Sequence, residues 1–327
     1  MNQTEKELPF PSQSKQGWPW TELSQSAPEK MSDNSDWPRI SIITPSYNQG
    51  QFIEETIRSV LLQNYPNLEY IVVDGESNDG TQQIIEKYQP WISKVIIEPD
   101  DGPADAIQKG LSLATGEWVN WINSDDILLP NALNLLAYLV SLYPEHNWIS
   151  GARINLNENG YFTSIQLPWR QEINCLLFGT AFFPQDATFF KSSFLHENNI
   201  KIDTRLKNVF DTALYHEALL VEKPLLTSAI FSGMRWHESQ LTNDKSQRQK
   251  EKIYIEEIQK KQPNSRLIKV ARRLASTRLR FVIILIILIL AKFNSWPPAK
   301  NWKACVYNAW KRQFIYDDAL KFLWYKF

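Results

Sequence analysis

The sequence predicts an α/β fold with a mainly parallel sheet, and three regularities lead to this prediction. Apolar runs of strand length recur in the first half of the chain, at residues 40–44, 69–73, 94–98 and 118–122. Between them, apolar residues follow the spacing of amphipathic helices, at residues 52–61, 84–88 and 107–113. Each apolar run ends in a short polar segment. Alternating strands and helices of this kind favour parallel strand pairing, with helices on the faces of the sheet.

We expect the polar segments to meet at one edge of the sheet, because ligands of open α/β sheets bind outside the carboxyl ends of the strands. The segments are residues 45–48, 74–77, 99–102 and 123–126. The last one is the most informative, since Asp125 and Asp126 are adjacent carboxylates. Mg²⁺ and Mn²⁺ prefer oxygen ligands and usually share them with substrate phosphates. The competing interpretation is a solvated turn, or the N-cap of a helix that begins near Pro130.

Composition excludes several classes of protein. The 327 residues carry a formal net charge of −1, which provides no general attraction to nucleic acid. Cys175 and Cys305 lie far apart, and the N-terminal residues show no signal-peptide pattern, so we expect a cytoplasmic, reducing location. Residues 75–81 have the glycines of a phosphate-binding loop but lack its lysine, which excludes a P-loop.

Several short motifs occur together between residues 37 and 139. They are Thr44-Pro45-Ser46-Tyr47-Asn48-Gln49-Gly50, Val73-Asp74-Gly75, Asp105-Ala106-Ile107, Lys109-Gly110, Ala114-Thr115-Gly116-Glu117 and Asn123-Ser124-Asp125-Asp126. In combination they resemble the nucleotide-sugar-binding half of family 2 glycosyltransferases, specifically a bacterial branch that assembles polysaccharides. The chain departs from that branch at Glu76, which usually is Gly, at Gln108, which usually is Asn, and at Asn123, where many relatives have Asp.

The resemblance implies a GT-A fold, which is a Rossmann-like, mainly parallel mixed sheet flanked by helices. It also implies a site for a UDP-, GDP- or dTDP-linked sugar. The donor-binding residues would be Pro45, Ser46, Tyr47, Asn48, Asp74, Gly75, Asp100, Asp105, Ser124 and Arg235. Mg²⁺ or Mn²⁺ would be bound by Asp125, Asp126 and His237, and Asn123 could assist through water.

The second half of the chain has a weaker pattern. It predicts strands at residues 146–151, 161–167, 186–191 and 225–231, and a helix at residues 211–221. In family 2 enzymes this half supplies the acceptor contacts and the general base, and Asp211 resembles the acidic residue that opens a helix there. The competing role of Asp211 is an ordinary helix cap. Residues 234–240 resemble the segment that closes the active site, where Arg235 would contact the diphosphate.

We divide the chain into three parts: an extended or disordered arm at residues 1–37, a catalytic domain at 38–242 and a helical, membrane-associating extension at 243–327. Within the domain, residues 38–140 form the nucleotide-sugar half and residues 141–242 the acceptor half. In the extension, six Arg or Lys residues precede eleven consecutive apolar residues, 281–291. Eleven helical residues extend about 16 Å, which is too short to span a hydrocarbon core of roughly 30 Å. Basic flanks favour a helix at an anionic membrane surface, although a buried helix or strand is the alternative.

These features together predict a metal-dependent, inverting glycosyltransferase at the inner face of the plasma membrane. Its acceptor would be a glycan or a lipid-linked glycan of the cell surface. Two other functions stay open at this point. One is a catalytically inactive GT-A scaffold in an assembly complex, which Asn123 favours because it removes a metal-binding charge. The other is a nucleotidyltransferase, which residues 46–50 disfavour because that class needs a cation after the first strand.

Overall fold

The computed structural model describes residues 8–11, 15–169, 171, 181–238 and 240, together with the backbone of residues 303–308 and 313–318. Its central sheet has the spatial strand order Gln313–Asp318, Lys303–Asn308, Leu225–Arg235, Trp148–Leu156, Thr188–Lys191, Trp118–Trp121, Ile40–Ser46, Leu68–Asp74 and Lys94–Ile97. The nucleotide half contributes β1 (Ile40–Ser46), β2 (Leu68–Asp74), β3 (Lys94–Ile97) and β4 (Trp118–Trp121). These four strands pair in parallel, with Ser46 beside Asp74 and Asp74 beside Ile97. Their carboxyl ends therefore lie at one edge, as the sequence predicts.

Helices cover both faces of this parallel sheet, and side chains on both sides of its inner strands are therefore buried. Ile42 of β1 packs in one cluster with α1 (Ile53–Leu61), α2 (Thr81–Tyr88) and α4 (Ala132–Leu142). Its neighbour Ile43 points to the other face, toward α3 (Pro103–Leu113) and the later helix α6 (Phe210–Val221). Near the edge of the sheet, residues 89–91 form a short 3-10 turn after α2. The predicted alternation of strand and helix is confirmed.

The second half adds antiparallel and parallel strands to the same sheet. Its elements are β6 (Trp148–Leu156), β7 (Phe162–Gln166), β8 (Thr188–Lys191), α5 (Ser192–Glu197), α6 and β9 (Leu225–Arg235), and the short strand β5 (Ile127–Leu128) of the first half pairs with β9. Strand β8 lies antiparallel between β4 and β6, whereas β6 and β9 are parallel. The expected strand at residues 186–191 begins only at Thr188, because Gln185–Ala187 forms a 3-10 turn. Strand β9 continues beyond residue 231 to Arg235, which moves Arg235 from a loop into the sheet.

The N-terminal arm lacks helices and strands in its described part but packs closely on the domain. Trp20 and Met31 are buried, and Met31 belongs to the same hydrophobic cluster as Ile42 of β1. The indole nitrogen of Trp18 donates to the carbonyl of Leu128 at 2.8 Å. The guanidinium of Arg58 donates to the carbonyls of Pro9, Pro19 and Trp20 at 2.7, 3.0 and 3.1 Å.

The C-terminal extension, which the sequence predicts to be helical, contains two strands in its described part. Strands β10 (Lys303–Asn308) and β11 (Gln313–Asp318) pair antiparallel, and β10 joins β9 through the pair Cys305 and Thr227. The apolar residues 281–291 and the cations before them lie outside the described residues. Within the described part, no helix has the length and apolar character that a membrane crossing requires.

Candidate functional site

The ends of β1 and β2 are bound together by a network of hydrogen bonds. Asp74 is fully buried, and both of its carboxylate oxygens accept hydrogen bonds from Ser77, at 2.8 Å from the amide and 2.6 Å from the hydroxyl. The Ser77 hydroxyl oxygen accepts from the amide of Asn48 at 2.7 Å, and the Ser46 carbonyl accepts from the amide of Gly75 at 2.9 Å. The structure thus brings the predicted donor-binding segments 45–48 and 74–77 together and fixes their backbones.

Gly75 lies closely against Asp100 and Tyr47. A Cβ atom at Gly75 would lie 2.6 Å from a carboxylate oxygen of Asp100 and 3.3 Å from Cδ2 of Tyr47, so any side chain there would displace one of them. The ring of Tyr47 is 62% exposed, which leaves its face open to a ligand. Burial raises the pKa of Asp100, and the nearby charges of Asp105 and Asp74 add to that shift. Ser46 Oγ is buried and has no hydrogen-bond partner among the described residues.

Asp105 lies at the start of α3, on the same edge of the sheet. One of its carboxylate oxygens accepts from the amide of Asp101 at 3.2 Å and lies 3.2 Å from the ammonium of Lys109. Lys109 also pairs with Glu98 at 3.0 Å. Lys109 therefore pairs with two carboxylates of the acidic segment that follows β3.

The acidic turn after β4 faces His237. The Nε2 atom of His237 lies 2.9 Å from a carboxylate oxygen of Asp125, and the His237 ring packs on the ring of Phe52 with 4.7 Å between centroids. These two predicted metal ligands are 112 residues apart in sequence, and the fold brings them into contact. Ser124, between the strand and the carboxylates, is buried.

Asp126 points in another direction, into the protein. It is only 3% exposed. One of its carboxylate oxygens accepts from the backbone amide of Arg235 at 2.9 Å, and the other lies 3.3 Å from the amide nitrogen of Asn123. Burial, followed by the charges of Asp125 and Asp186, raises its pKa well above the usual range. Its carbonyl accepts from the hydroxyl of Thr56 at 2.6 Å, which ties the turn to α1.

The guanidinium of Arg235 is buried beneath the same turn. It donates to the carbonyls of Asp125 and Glu158, both at 3.1 Å, and pairs with Glu55 on α1 at 2.9 Å. The side chain is 2% exposed, and it also stacks on Phe52. The predicted contact between Arg235 and the diphosphate would require the guanidinium to leave these partners. In the structure as described, Arg235 instead joins the acidic turn to α1 and to the β6–β7 turn.

Asp211 lies in the first turn of α6, where helix N-termini stabilise negative charge. It is partly buried, and its carboxylate accepts from the amide of Thr212 at 2.6 Å. Burial raises its pKa, while the hydrogen bonds from Thr212 and the charge of Arg153 oppose that shift. Asp211 is therefore a carboxylate with a raised proton affinity, which is a property of general bases.

Sequence reasoning missed a buried polar cluster between the acidic turn and α6. Asp186 and Arg153 form an ion pair at 2.9 Å, and Ser232 and Gln185 contact the same region. No motif marks these residues, because each lies in an ordinary strand or turn of the second half. The one available signal was Arg153 itself, which is the only charged residue in the strand-like segment 148–154.

The residues at the acidic turn fit a divalent cation that shares its ligands with a diphosphate. The carboxylate of Asp125 and the imidazole of His237 converge, and these are an oxygen and a nitrogen ligand. The described residues contain no cluster of three or more His, Cys, Asp or Glu side chains able to hold a metal. Two protein ligands plus substrate phosphates are typical of Mg²⁺ sites, in which the protein supplies few contacts.

Comparisons with known proteins agree with the motifs in the sequence. The family model "Glycosyl transferase family 2" matches residues 41–198. The "Putative teichuronic acid biosynthesis glycosyltransferase TuaG" of Bacillus subtilis is 43% identical over 96 residues, which are 28% of this chain and 38% of that protein. The chain therefore matches well under half the length of this relative.

Two solved structures have a similar fold. The crystal structure of S. aureus TarS 1-349 in complex with UDP-GlcNAc has a TM-score of 0.57 at 18% identity, covering 80% of this chain and 77% of that one. The mannosyltransferase PcManGT from Pyrobaculum calidifontis, in complex with GDP-Man and Mn²⁺, has a TM-score of 0.54 at 19% identity, covering 86% and 81%. These likenesses confirm the predicted GT-A fold.

Proposed function

We propose that this chain, whose residues 41–198 form a Glycosyl transferase family 2 domain, transfers a sugar from a nucleoside diphosphate to a hydroxyl group of a cell-surface glycan or glycolipid. The observation that carries the proposal is the convergence of Asp125 and His237, at 2.9 Å, at the same sheet edge as the donor-binding turns. Relatives named for teichuronic acid synthesis and for poly(ribitol-phosphate) glucosylation support the substrate class.

The donor nucleoside would bind at the ends of β1 and β2. The exposed face of Tyr47 is available for stacking on a base. The hydroxyl of Ser46 has no partner among the described residues and is available for a hydrogen bond. The carboxylate of Asp100 lies against Gly75, and it fits there because glycine has no side chain. This carboxylate would accept a hydrogen bond from a ribose or sugar hydroxyl. The buried Asp74 holds the loop through Ser77 and shapes this pocket from below.

The diphosphate would lie over the acidic turn, where Asp125 and His237 would hold Mg²⁺ or Mn²⁺. The bound cation would supply electrostatic stabilisation of the departing nucleoside diphosphate. Asp126 and Arg235 support this site from below: Asp126 through the amide of Arg235, and Arg235 through the carbonyl of Asp125. We therefore assign Arg235 a positioning role, and the predicted metal contact of Asp126 stays a prediction.

Asp211 would act as the general base. As the acceptor hydroxyl attacks the anomeric carbon, its proton passes to the carboxylate of Asp211, and the bond to the diphosphate breaks on the opposite face. A single displacement of this kind inverts the anomeric configuration. The first turn of α6 and the amide of Thr212 hold the carboxylate in one orientation.

We also propose a peripheral membrane contact through the basic and apolar residues 266–291, on sequence grounds alone. Attraction of this kind depends on charge, and salt screens surface charges beyond about 8 Å at physiological ionic strength. Co-sedimentation with anionic vesicles at low salt should therefore carry the full-length protein into the pellet. Replacing Arg272, Arg273, Arg278 and Arg280 by Gln should release part of it. A full-length protein that stays in the supernatant would contradict the membrane contact.

Thermal-shift screening with UDP-, GDP- and dTDP-sugars in the presence of Mn²⁺ tests the proposed function. A donor should raise the melting temperature in a metal-dependent manner, and the protein should then release the free nucleoside diphosphate slowly by hydrolysis. A protein that binds a donor but never releases nucleotide, with or without acceptor glycans, would instead be an inactive scaffold. If none of the donors shifts the melting temperature, the donor site itself is wrongly assigned.

A further inference from the structure

Two side-chain amides join the acidic turn after β4 to the segment that leads into β8. The Nδ2 atom of Asn123 lies 3.3 Å from a carboxylate oxygen of Asp126 and 3.3 Å from Oε1 of Gln185. Gln185 is the first residue of the 3-10 turn before β8. Its Nε2 atom donates to the carbonyl of Trp121, the last residue of β4, at 2.6 Å. Asn123 therefore bridges Asp126 and Gln185.

The neighbours of these two amides fix which atom each amide turns toward the other. A backbone carbonyl can only accept a hydrogen bond, so Gln185 presents its nitrogen to Trp121 and its oxygen to Asn123. Asn123 must then present its nitrogen to Gln185, and the same nitrogen faces the carboxylate of Asp126. Position 123 therefore needs a hydrogen-bond donor. An Asp side chain there would bring a carboxylate oxygen against two other oxygens.

The 3-10 turn that carries Gln185 is anchored to three strands. Asp186 in this turn is 1% exposed, and its carboxylate accepts from Arg153 of β6 at 2.9 Å and from the hydroxyl of Ser232 of β9 at 2.5 Å. The backbone carbonyl of Asp186 accepts from the side-chain amide of Asn120 in β4 at 3.1 Å. Gln185 is thus a fixed point of attachment for the acidic turn.

Three polar side chains of the acidic turn point in different directions. Asn123 contacts Asp126, and the other carboxylate oxygen of Asp126 accepts from the amide of Arg235 at 2.9 Å. Asp125 instead faces His237, with 2.9 Å between Oδ2 and Nε2. Contacts within the protein therefore hold Asn123 and Asp126, whereas Asp125 is directed toward the proposed metal site.

We propose that Gln185 and Asn123 are positioning residues of the metal site, and that position 123 requires an amide because a carboxylate would break the bridge. This inference rests on the proposed function, because it gives Asp125 the role of metal ligand. The bridge from Gln185 through Asn123 to Asp126 fixes the turn, and the fixed turn holds Asp125 toward the cation. Asn123 is then a requirement of the site and no sign of an inactive scaffold.

The first test is the binding of Mn²⁺ alone, measured from the electron paramagnetic resonance signal of the free ion. Asn123→Asp should weaken Mn²⁺ binding by about tenfold to a hundredfold, the usual effect of losing a group that orients a metal ligand. If position 123 were a direct ligand site, the added carboxylate would instead tighten binding. Asn159→Asp is the matched control, because it adds the same charge at an exposed position of the β6–β7 turn and should not weaken binding.

The second test reverses the direction of the hydrogen bond. Gln185→Lys alone should weaken Mn²⁺ binding, because its ammonium would face the nitrogen of Asn123. In the Asn123→Asp background the same lysine can donate to the new carboxylate and to the carbonyl of Trp121. The double variant should therefore bind Mn²⁺ more tightly than either single variant, which is the coupling expected of residues in contact. A direct ligand at position 123 would instead bind Mn²⁺ less well with a cation beside it.

Urea unfolding without metal shows whether each variant is folded. If Asn123→Asp does not fold, Gln185→Met replaces it, because it breaks the bridge without adding charge and should weaken Mn²⁺ binding by a similar factor. Unchanged or tighter Mn²⁺ binding in Asn123→Asp, or in Gln185→Met where that variant replaces it, would overturn the inference. A double variant that recovers no affinity would overturn it as well.

The outcomes separate this inference from the proposed function. A wild type that binds no Mn²⁺ would overturn the inference, yet release of nucleoside diphosphate from a sugar donor by that protein would still uphold sugar transfer. The expected changes in Mn²⁺ binding, in a protein that turns over no sugar donor, would uphold the inference and refute the proposed function.

Discussion

Replacing Asp211 by Asn should change activity and stability in opposite directions. Asn lacks a basic oxygen, so the chemical step should slow by about 10² to 10⁴, the usual contribution of general base catalysis. That range corresponds to about 2.7 to 5.5 kcal/mol of activation free energy. The fold should gain stability at neutral pH, because burial raises the pKa of Asp211 and therefore makes its ionised form unfavourable in the folded state.

The sign of this stability change follows from proton binding. A carboxyl whose folded pKa exceeds its ordinary value of 3.8 binds protons more tightly when folded, so its contribution to stability falls as pH rises through the folded pKa. The advantage of Asp211→Asn should therefore be present at pH 7 and vanish below about pH 3.8. Asn can still accept the hydrogen bond from the Thr212 amide, and the helix loses no cap, because its N-cap residue is Val209 and not Asp211.

Single-turnover kinetics and urea unfolding at several pH values provide the measurements. Glu217→Gln is the matched control, because it neutralises a carboxylate that is 54% exposed on the same helix. It should leave both the rate and the stability nearly unchanged. If Asp211→Asn retains a normal rate, or if it loses both activity and stability, Asp211 is a structural residue and the assignment of the base is wrong.

Three further outcomes are expected. Asp125→Asn should abolish turnover and the Mn²⁺ dependence of nucleotide binding, which titration calorimetry can measure, and a near-normal rate would refute the metal assignment. Glu55→Gln and Arg235→Lys should both weaken Mn²⁺ binding, because each breaks the buried contacts beneath the acidic turn. If Arg235 contacted the diphosphate directly, Arg235→Lys would keep most of the binding and Glu55→Gln would have no effect on it. Gly110→Ala should destabilise the fold by about 1 to 3 kcal/mol in urea unfolding, since its Cβ would lie 2.4 Å from Ile43.

The parallel half of the fold was predictable because its signals are local. Each strand there is a continuous apolar run with a polar end, and each helix has its own apolar face, so the order of elements could be read residue by residue. The contact between Asp125 and His237 followed only from the family resemblance, because nothing local connects residues 112 positions apart. The left-handed backbone of Glu76, with φ of 61°, explains why relatives usually have Gly there.

The buried polar cluster could not be predicted because it depends on strand register. Asp186 meets Arg153 and Ser232 only after β6, β8 and β9 are aligned, and the sequence does not specify that alignment. The same limit applies to Arg235. Its motif indicated a cation near the donor, but the extension of β9 turned its side chain into the protein, where Glu55 pairs with it.

The arm held by Arg58 is synthesised before the domain on which it packs, yet we expect it to reach its place late in folding. The hydrogen bond from Trp18 to the carbonyl of Leu128 joins residues that are 110 positions apart in the chain. Contacts of such large sequence separation form slowly. Until then the guanidinium of Arg58 has water in place of the carbonyls of Pro9, Pro19 and Trp20. We therefore expect substitutions of Trp18 or Trp20 to affect the last stage of assembly and to leave the parallel sheet to form normally.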